Sequence, residues 1–130
     1  METAITNGVK ISVEVSYQPT TNRMLSEENE HILAYQVTIE NQNSFPVQLL
    51  RRHWHICNAL NMRREVEGPG VIGEQPVLSY GGKHSYVSYC PLTTEIGKMY
   101  GSFLMKNLED DSMFRVDIPE FLMVLPERLN

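Results

Sequence analysis

The chain has 130 residues, 42% of them hydrophobic, and a net charge of −5 from 11 Lys+Arg and 16 Asp+Glu. That length suits a single domain over 1–130 with one modest core. The acidic balance, with no basic stretch beyond arginine pairs, excludes non-specific nucleic-acid binding, which needs several phosphate-neutralising cations on one face.

In chain order, the N-terminal METAITNGVK lacks the apolar core of a signal peptide. Val9, Ile11, Val13, Val15 and Tyr17 then alternate with Lys10, Ser12, Glu14, Ser16 and Gln18, the period of a strand with one buried face. Ser26–Glu30 is too short and polar for more than a loop or a single turn. Leu33, Tyr35, Val37 and Ile39 repeat the alternation, Asn41–Ser44 makes a turn, and a third strand, VQLLRRHWHIC, begins after Pro46. In it Trp54 and Ile56 point opposite to His53 and His55, so the only tryptophan is expected in the core.

Further strands are expected over about 84–90, 99–107, 113–118 and 120–125, with Phe114, Val116 and Ile118 alternating against Met113, Arg115 and Asp117. Glu109-Asp110-Asp111 falls between two of them as a solvated hairpin loop, without the ligand pattern of a calcium loop. The longest apolar run, Phe121–Leu125, is far too short to span a bilayer. No window carries a convincing helical period. Seven or eight short strands punctuated by Gly, Pro and Asn predict an all-β antiparallel sandwich, with Val13, Val37, Trp54, Phe103 and Val116 among the buried residues.

One stretch, EGPGVIGEQP, contains G-x-G-x-x-G at Gly68, Gly70 and Gly73. In a dinucleotide-binding turn those glycines join a parallel strand to a helix. Here Gly81-Gly82 would end any helix almost at once, so the βαβ unit is missing. A Walker loop fails as well, with Val77 where its first glycine belongs and His84 where Ser or Thr belongs. The glycines are expected to serve tight turns, with Val71 and Ile72 packing inward. The alternative is an anion-binding nest of loop amides, with Arg51, Arg52, Arg63 and Arg64 as converging cations.

Four strings, the RRHW at Arg51–Trp54, EGPGVIGEQPVL, YVSYCPLTTEIGKMYG at Tyr86–Gly101 and FRVDIPEFLMVLP at Phe114–Pro126, resemble the ApaG family in order and spacing. This sequence differs at Ser88-Tyr89-Cys90, where a Ser-Gly pair is common, and at Gly81-Gly82-Lys83, where a Pro-Gly-Glu turn is usual. The resemblance implies an immunoglobulin-like fold similar to fibronectin type III. It also implies a cytoplasmic bacterial protein linked genetically to cobalt resistance and magnesium efflux, with no established enzymatic activity. Related domains in eukaryotic F-box proteins and a polymerase-interacting protein look like protein-binding modules, and the family's glycine motif has been suggested to bind pyrophosphate. With no span of its own, the chain could act in efflux only indirectly.

Cys57 and Cys90, without a secretion signal, read as free thiols. His53, His55 and Cys57 lie two residues apart along one strand and so share a side, which could begin a transition-metal site with His31 or His84 as a further ligand. Only one strand supplies those ligands, so no tight metal and no cofactor are expected there. For catalysis the chain offers neither a G-x-S-x-G elbow nor a Ser/His/Asp grouping; Asp117 and Glu120 flank Pro119 as an ordinary strand-end carboxylate pair.

The sequence therefore points first to a non-enzymatic module binding another protein, with edge strands also open to homo-oligomerisation. A phosphate-, pyrophosphate- or cation-sensing domain using the Gly68–Gly73 loop is the second expectation, and an enzyme of phosphoanhydride chemistry the third.

Overall fold

The computed structural model describes residues 1–17 and 31–125; the Ser26–Glu30 segment lies outside them. The described residues form nine strands: β1 (Glu2–Thr6), β2 (Val9–Tyr17), β3 (His31–Asn41), β4 (Val47–Asn58), β5 (Arg63–Pro69), β6 (Val77–Leu78), β7 (Lys83–Leu92), β8 (Ile96–Asn107) and β9 (Met113–Val124). One sheet runs β1-β2-β3-β7 and the other β5-β4-β8-β9, with the short β6 also pairing β4. Every pairing is antiparallel. The two sheets pack face to face as the alternating sequence requires, an immunoglobulin-like sandwich. Among the described residues no helix is long and apolar enough to cross a membrane.

The alternation sets the core. Val13 stands opposite Val37, and Ile11 opposite Ile39, so β2 and β3 present one apolar face. β4 answers from the other sheet with Trp54 and Ile56, backed by Phe103 on β8 and Val116 on β9, all buried. Cys57 and Cys90 are free thiols, Cys90 buried. Where the two sheets meet, Tyr35, Trp54 and Phe121 form an aromatic trio with ring centroids 5.4 to 6.0 Å apart.

Three strands appear that the alternation does not announce: β1, β5 and the two-residue β6. β5 is exposed at six of its seven positions and β1 is nearly as exposed, so neither carries an apolar face to betray it. The runs 113–118 and 120–125 are a single strand rather than two. The β8–β9 register passes from Gly101–Ile118 to Met99–Phe121, so Pro119 and Glu120 together oppose Tyr100. A bulge on an outer strand is where a proline, lacking its N–H donor, interrupts a ladder at least cost.

Asn41, at the end of β3, is fully buried. Its Nδ2 donates to the carbonyls of Phe45 and Leu78 at 2.9 and 3.0 Å, and its Oδ1 accepts from the Asn43 amide at 3.0 Å. Its backbone N–H donates to Gly82 O and its carbonyl accepts from Gly81 N–H. One residue thus ties the β3–β4 turn to β6 and the β6–β7 connection.

Candidate functional site: a cleft between two sheet edges

β5 ends one sheet and β7 ends the other, and the two outer strands lie side by side without pairing. Between them opens a cleft of about 490 Å³, within the size range of ligand sites. Its floor is the aromatic core at Tyr35 and Trp54. Its walls are Arg64 and Val66 of β5 and Tyr86, Ser88 and Tyr89 of β7, and the loop residues Val71–Gly73 form its rim. Val66 and Tyr89 are partly exposed, at 39% and 51%, so the mouth is apolar as well as cationic.

The alternation of β4 and β5 sorts the four arginines. Arg52 and Arg64 fall on the cleft side. Arg52 Nη1 donates to the carbonyls of Pro69 and Gly70 at 2.8 and 3.0 Å. Arg64 Nη2 reaches across from β5 to donate to Pro91 O on β7 at 2.8 Å, and lies 3.7 Å from Cys90 Sγ. Arg51 and Arg63 face outward, Arg51 to Glu67 at 3.5 Å and Arg63 to the Tyr100 hydroxyl at 3.1 Å. Of the four, Arg52 meets the loop, Arg64 meets β7 across the cleft, and Arg51 and Arg63 face away.

The glycine loop is a turn built on backbone geometry. Gly70 and Gly73 have φ of +62° and +74°, the left-handed region open to glycine. A Cβ on Gly70 would collide with the Glu74 carbonyl, and one on Gly68 would come within 3.2 Å of both terminal nitrogens of Arg52. Three amides in and beside the loop are engaged: Gly70 N–H donates to Leu50 O, Val71 N–H to Glu74 O, and Glu74 N–H to Val71 O. Val71 is buried, but Ile72 is 61% exposed. Its φ of +48° swings the side chain outward, so only the first of the two residues expected to pack inward does so.

The phenols and the thiol of the cleft are held in their neutral forms. Burial pushes the phenol of Tyr86 well above its ordinary range, aided by the neighbouring Tyr35, and the Tyr86 hydroxyl is buried with no hydrogen-bond partner among the described residues. Burial also raises Tyr35, against the opposing effect of its hydrogen bond with Ser88. Burial raises the Cys90 thiol despite Arg64 beside it, so no thiolate nucleophile is prepared there.

On the outer face of the same sheet, His53 and His55 project from β4 toward Glu65 of β5, whose Oε1 lies 3.1 Å from His53 Nε2 and 3.2 Å from His55 Nδ1. The third member is Glu65, directly opposite His55 in the register, and not Cys57, which lies opposite Arg63. His31 and His84 stand on β3 and β7 in the other sheet, and His84 Nε2 lies 3.7 Å from Glu74. In the β8–β9 hairpin Asp110 accepts from the amide and hydroxyl of Ser112, which hold its carboxyl below the usual range, and Asp111 pairs Lys106 at 3.3 Å. Those acids serve the turn.

Sequence reasoning missed Glu65 and Tyr86. Glu65 could have been found only by recognising β5, and Tyr86 only by knowing which strand edges adjoin.

Comparison with known proteins places this geometry in a set of relatives. A family model described as the ApaG domain matches residues 21–107. The chain is 43% identical over 128 residues to Protein ApaG of Brucella suis biovar 1, covering 98% of this chain and 96% of that one, and 42% identical over the same span to Protein ApaG of Brucella abortus. Among solved structures, a Bordetella pertussis protein described as ApaA superposes with a TM-score of 0.82 at 38% identity, over 91% of this chain and 94% of that one. A second X-ray structure gives a TM-score of 0.86 at 29% identity, over 98% and 94%.

Proposed function

The chain belongs to the ApaG domain family, and from that membership and the β5–β7 cleft we propose that it is a non-enzymatic module binding an extended segment of a partner protein. The observation that carries this reading is the juxtaposition of two outer strands around one apolar, cationic opening. Among the described residues neither outer strand has a partner on its far side. An extended segment could add to either edge through backbone hydrogen bonds and place alternate side chains in the cleft. Val66 and Tyr89 would receive its apolar groups, and Arg52 and Arg64 suit an acidic residue or a terminal carboxylate. The neutral state of Tyr35, Tyr86 and Cys90 supports a binding role over catalysis, since none is poised as a base or nucleophile.

Photo-crosslinking in cells tests this. A benzophenone side chain at Val66 or Tyr89 should give one discrete adduct, weakened by Arg52→Ala, whereas Leu122 on β9 should give none. An adduct only at Leu122, or none from the cleft, refutes the reading.

A phosphate-bearing ligand is the second reading, favoured by the two guanidinium groups on one side of the cleft. The engaged loop amides weigh against it. Titration with pyrophosphate distinguishes the two: saturable binding abolished by Arg64→Ala would move the assignment from peptide to anion.

A further inference from the structure

We propose that His53, His55 and Glu65 form a three-ligand binding site for a zinc-class divalent cation on the outer face of the β5-β4-β8-β9 sheet. The site is independent of the cleft: these side chains project from the opposite face of β4 and β5. Their donor atoms, two imidazole nitrogens and one carboxylate oxygen, lie within 4.8 Å of one another. This nitrogen-rich set suits borderline ions such as Zn²⁺ and Ni²⁺ over Mg²⁺, which prefers oxygen and keeps its waters.

The spacing fits. Two donors each about 2.1 Å from a tetrahedral zinc stand roughly 3.4 Å apart, and Glu65 Oε1 is 3.1 Å from His53 Nε2 and 3.2 Å from His55 Nδ1. His55 Nδ1 is buried and makes no hydrogen bond among the described residues, although the carboxylate oxygen is near enough for one. A hydrogen bond needs Nδ1 to aim at the oxygen itself. Coordination needs both atoms to aim at a third point between the three donors, and that is the arrangement a buried, misaligned nitrogen leaves open.

The surrounding side chains hold the rings. His53 has Glu67 Oε2 3.8 Å behind its Nδ1, and Glu67 is itself paired to Arg51 at 3.5 Å. That carboxylate is too far for a hydrogen bond, but its charge favours the tautomer with the proton on Nδ1, which leaves the far nitrogen to the metal. The His55 ring stacks on Tyr100, centroids 4.8 Å apart at 13°, and the Tyr100 hydroxyl accepts from Arg63. The outward arginines, which do not reach the cleft, thus brace the two histidines. With three protein donors the fourth position faces water, as in open zinc sites.

The test is calorimetric titration of the full chain with Zn²⁺. One ion per chain is expected, with Mg²⁺ unable to compete. His55→Ala and Glu65→Gln should each weaken binding at least about tenfold, with the apo proteins melting as the wild type does, and Cys57→Ser should bind unchanged. Should His55→Ala fail to fold, the imidazole resonances of the wild type decide: those of His53 and His55 should shift together on adding Zn²⁺. No stoichiometric binding, resonances that stay fixed, or binding that survives Glu65→Gln but is lost in Cys57→Ser overturns the proposal.

Discussion

Tyr35 and Trp54 meet edge to face across the two sheets, their ring centroids 5.4 Å apart at 67°, with Phe121 closing the same contact. Trp54 is only 3% exposed, so truncation leaves a void that β3 and β9 must collapse to fill. Trp54→Ala should cost about 3–5 kcal/mol in a denaturant titration. A cost below about 1 kcal/mol would mean that the indole is not part of the core.

The glycine loop gives a ranking. Gly70 and Gly73 both have positive φ, but a Cβ on Gly70 meets the Glu74 carbonyl whereas one on Gly73 meets nothing within 4 Å. Gly73→Ala should therefore lose about 1–2 kcal/mol, the backbone penalty alone, and Gly70→Ala distinctly more, in the absence of any ligand. Equal losses, or a Gly70→Ala protein of wild-type stability, would contradict this account of the turn.

Asn41 supplies a third. Replacing it with Ala strands the Phe45 and Leu78 carbonyls and the Asn43 amide, which its side chain now satisfies. Each buried group left unpaired costs about 1–3 kcal/mol, so Asn41→Ala should lower stability by roughly 2 kcal/mol or more. The loss should be visible as earlier amide exchange in both the β3–β4 turn and the β6–β7 connection. Exchange that changes in only one of them would show that the side chain does not couple the two.

The cleft residues set the alkaline limit. Cys90, Tyr35 and Tyr86 are all raised above ordinary values near 9 and 10. Above those values the unfolded chain releases protons that the folded chain keeps, so ν_U falls below ν_N and stability declines as pH rises. Thermal midpoints should be insensitive to these groups below about pH 9 and drop steeply beyond it. Tyr86→Phe should flatten the part of that drop above pH 10. At neutral pH it should leave stability unchanged or raise it by as much as roughly 1 kcal/mol, because the lost hydroxyl has no partner among the described residues. A destabilised Tyr86→Phe protein would reveal a partner for that hydroxyl.

Legibility tracked burial. β2, β3, β4 and β9 each bury one face, so the period of two in Val9–Tyr17, Leu33–Ile39 and Phe114–Ile118 marks them directly. β1 and β5 are outer strands wet on both sides, and ETAIT and RREVEGP carry little pattern to read. The one signal for β1 was Asn7-Gly8, whose φ values of +50° and +76° make the tight hairpin that this dipeptide favours. Losing β5 had the larger consequence. It brings Glu65 opposite His55 and sends Arg64 to the cleft, so the sequence could place neither the histidine cluster nor the arginine pair. The cleft is a relation between strands distant in the chain, and the periodicity of a single strand does not encode which edges adjoin.

The opposite side of the sandwich is closed differently. There the Asn7 Nδ2 of the β1–β2 turn donates to Arg115 O, and Thr6 Oγ1 of β1 accepts from Asp117 N–H at 3.3 Å, so side chains from one sheet occupy edge groups of the other. That seam is stitched, whereas the β5–β7 seam is crossed by Arg64 near one end and otherwise opens into the cleft. For self-association this asymmetry acts as a stop rule. Chains that join through the open seam by a twofold pairing consume it on both copies and expose no second growing end, so assembly halts at two. A sandwich open on both seams could add copies indefinitely, the route to filaments.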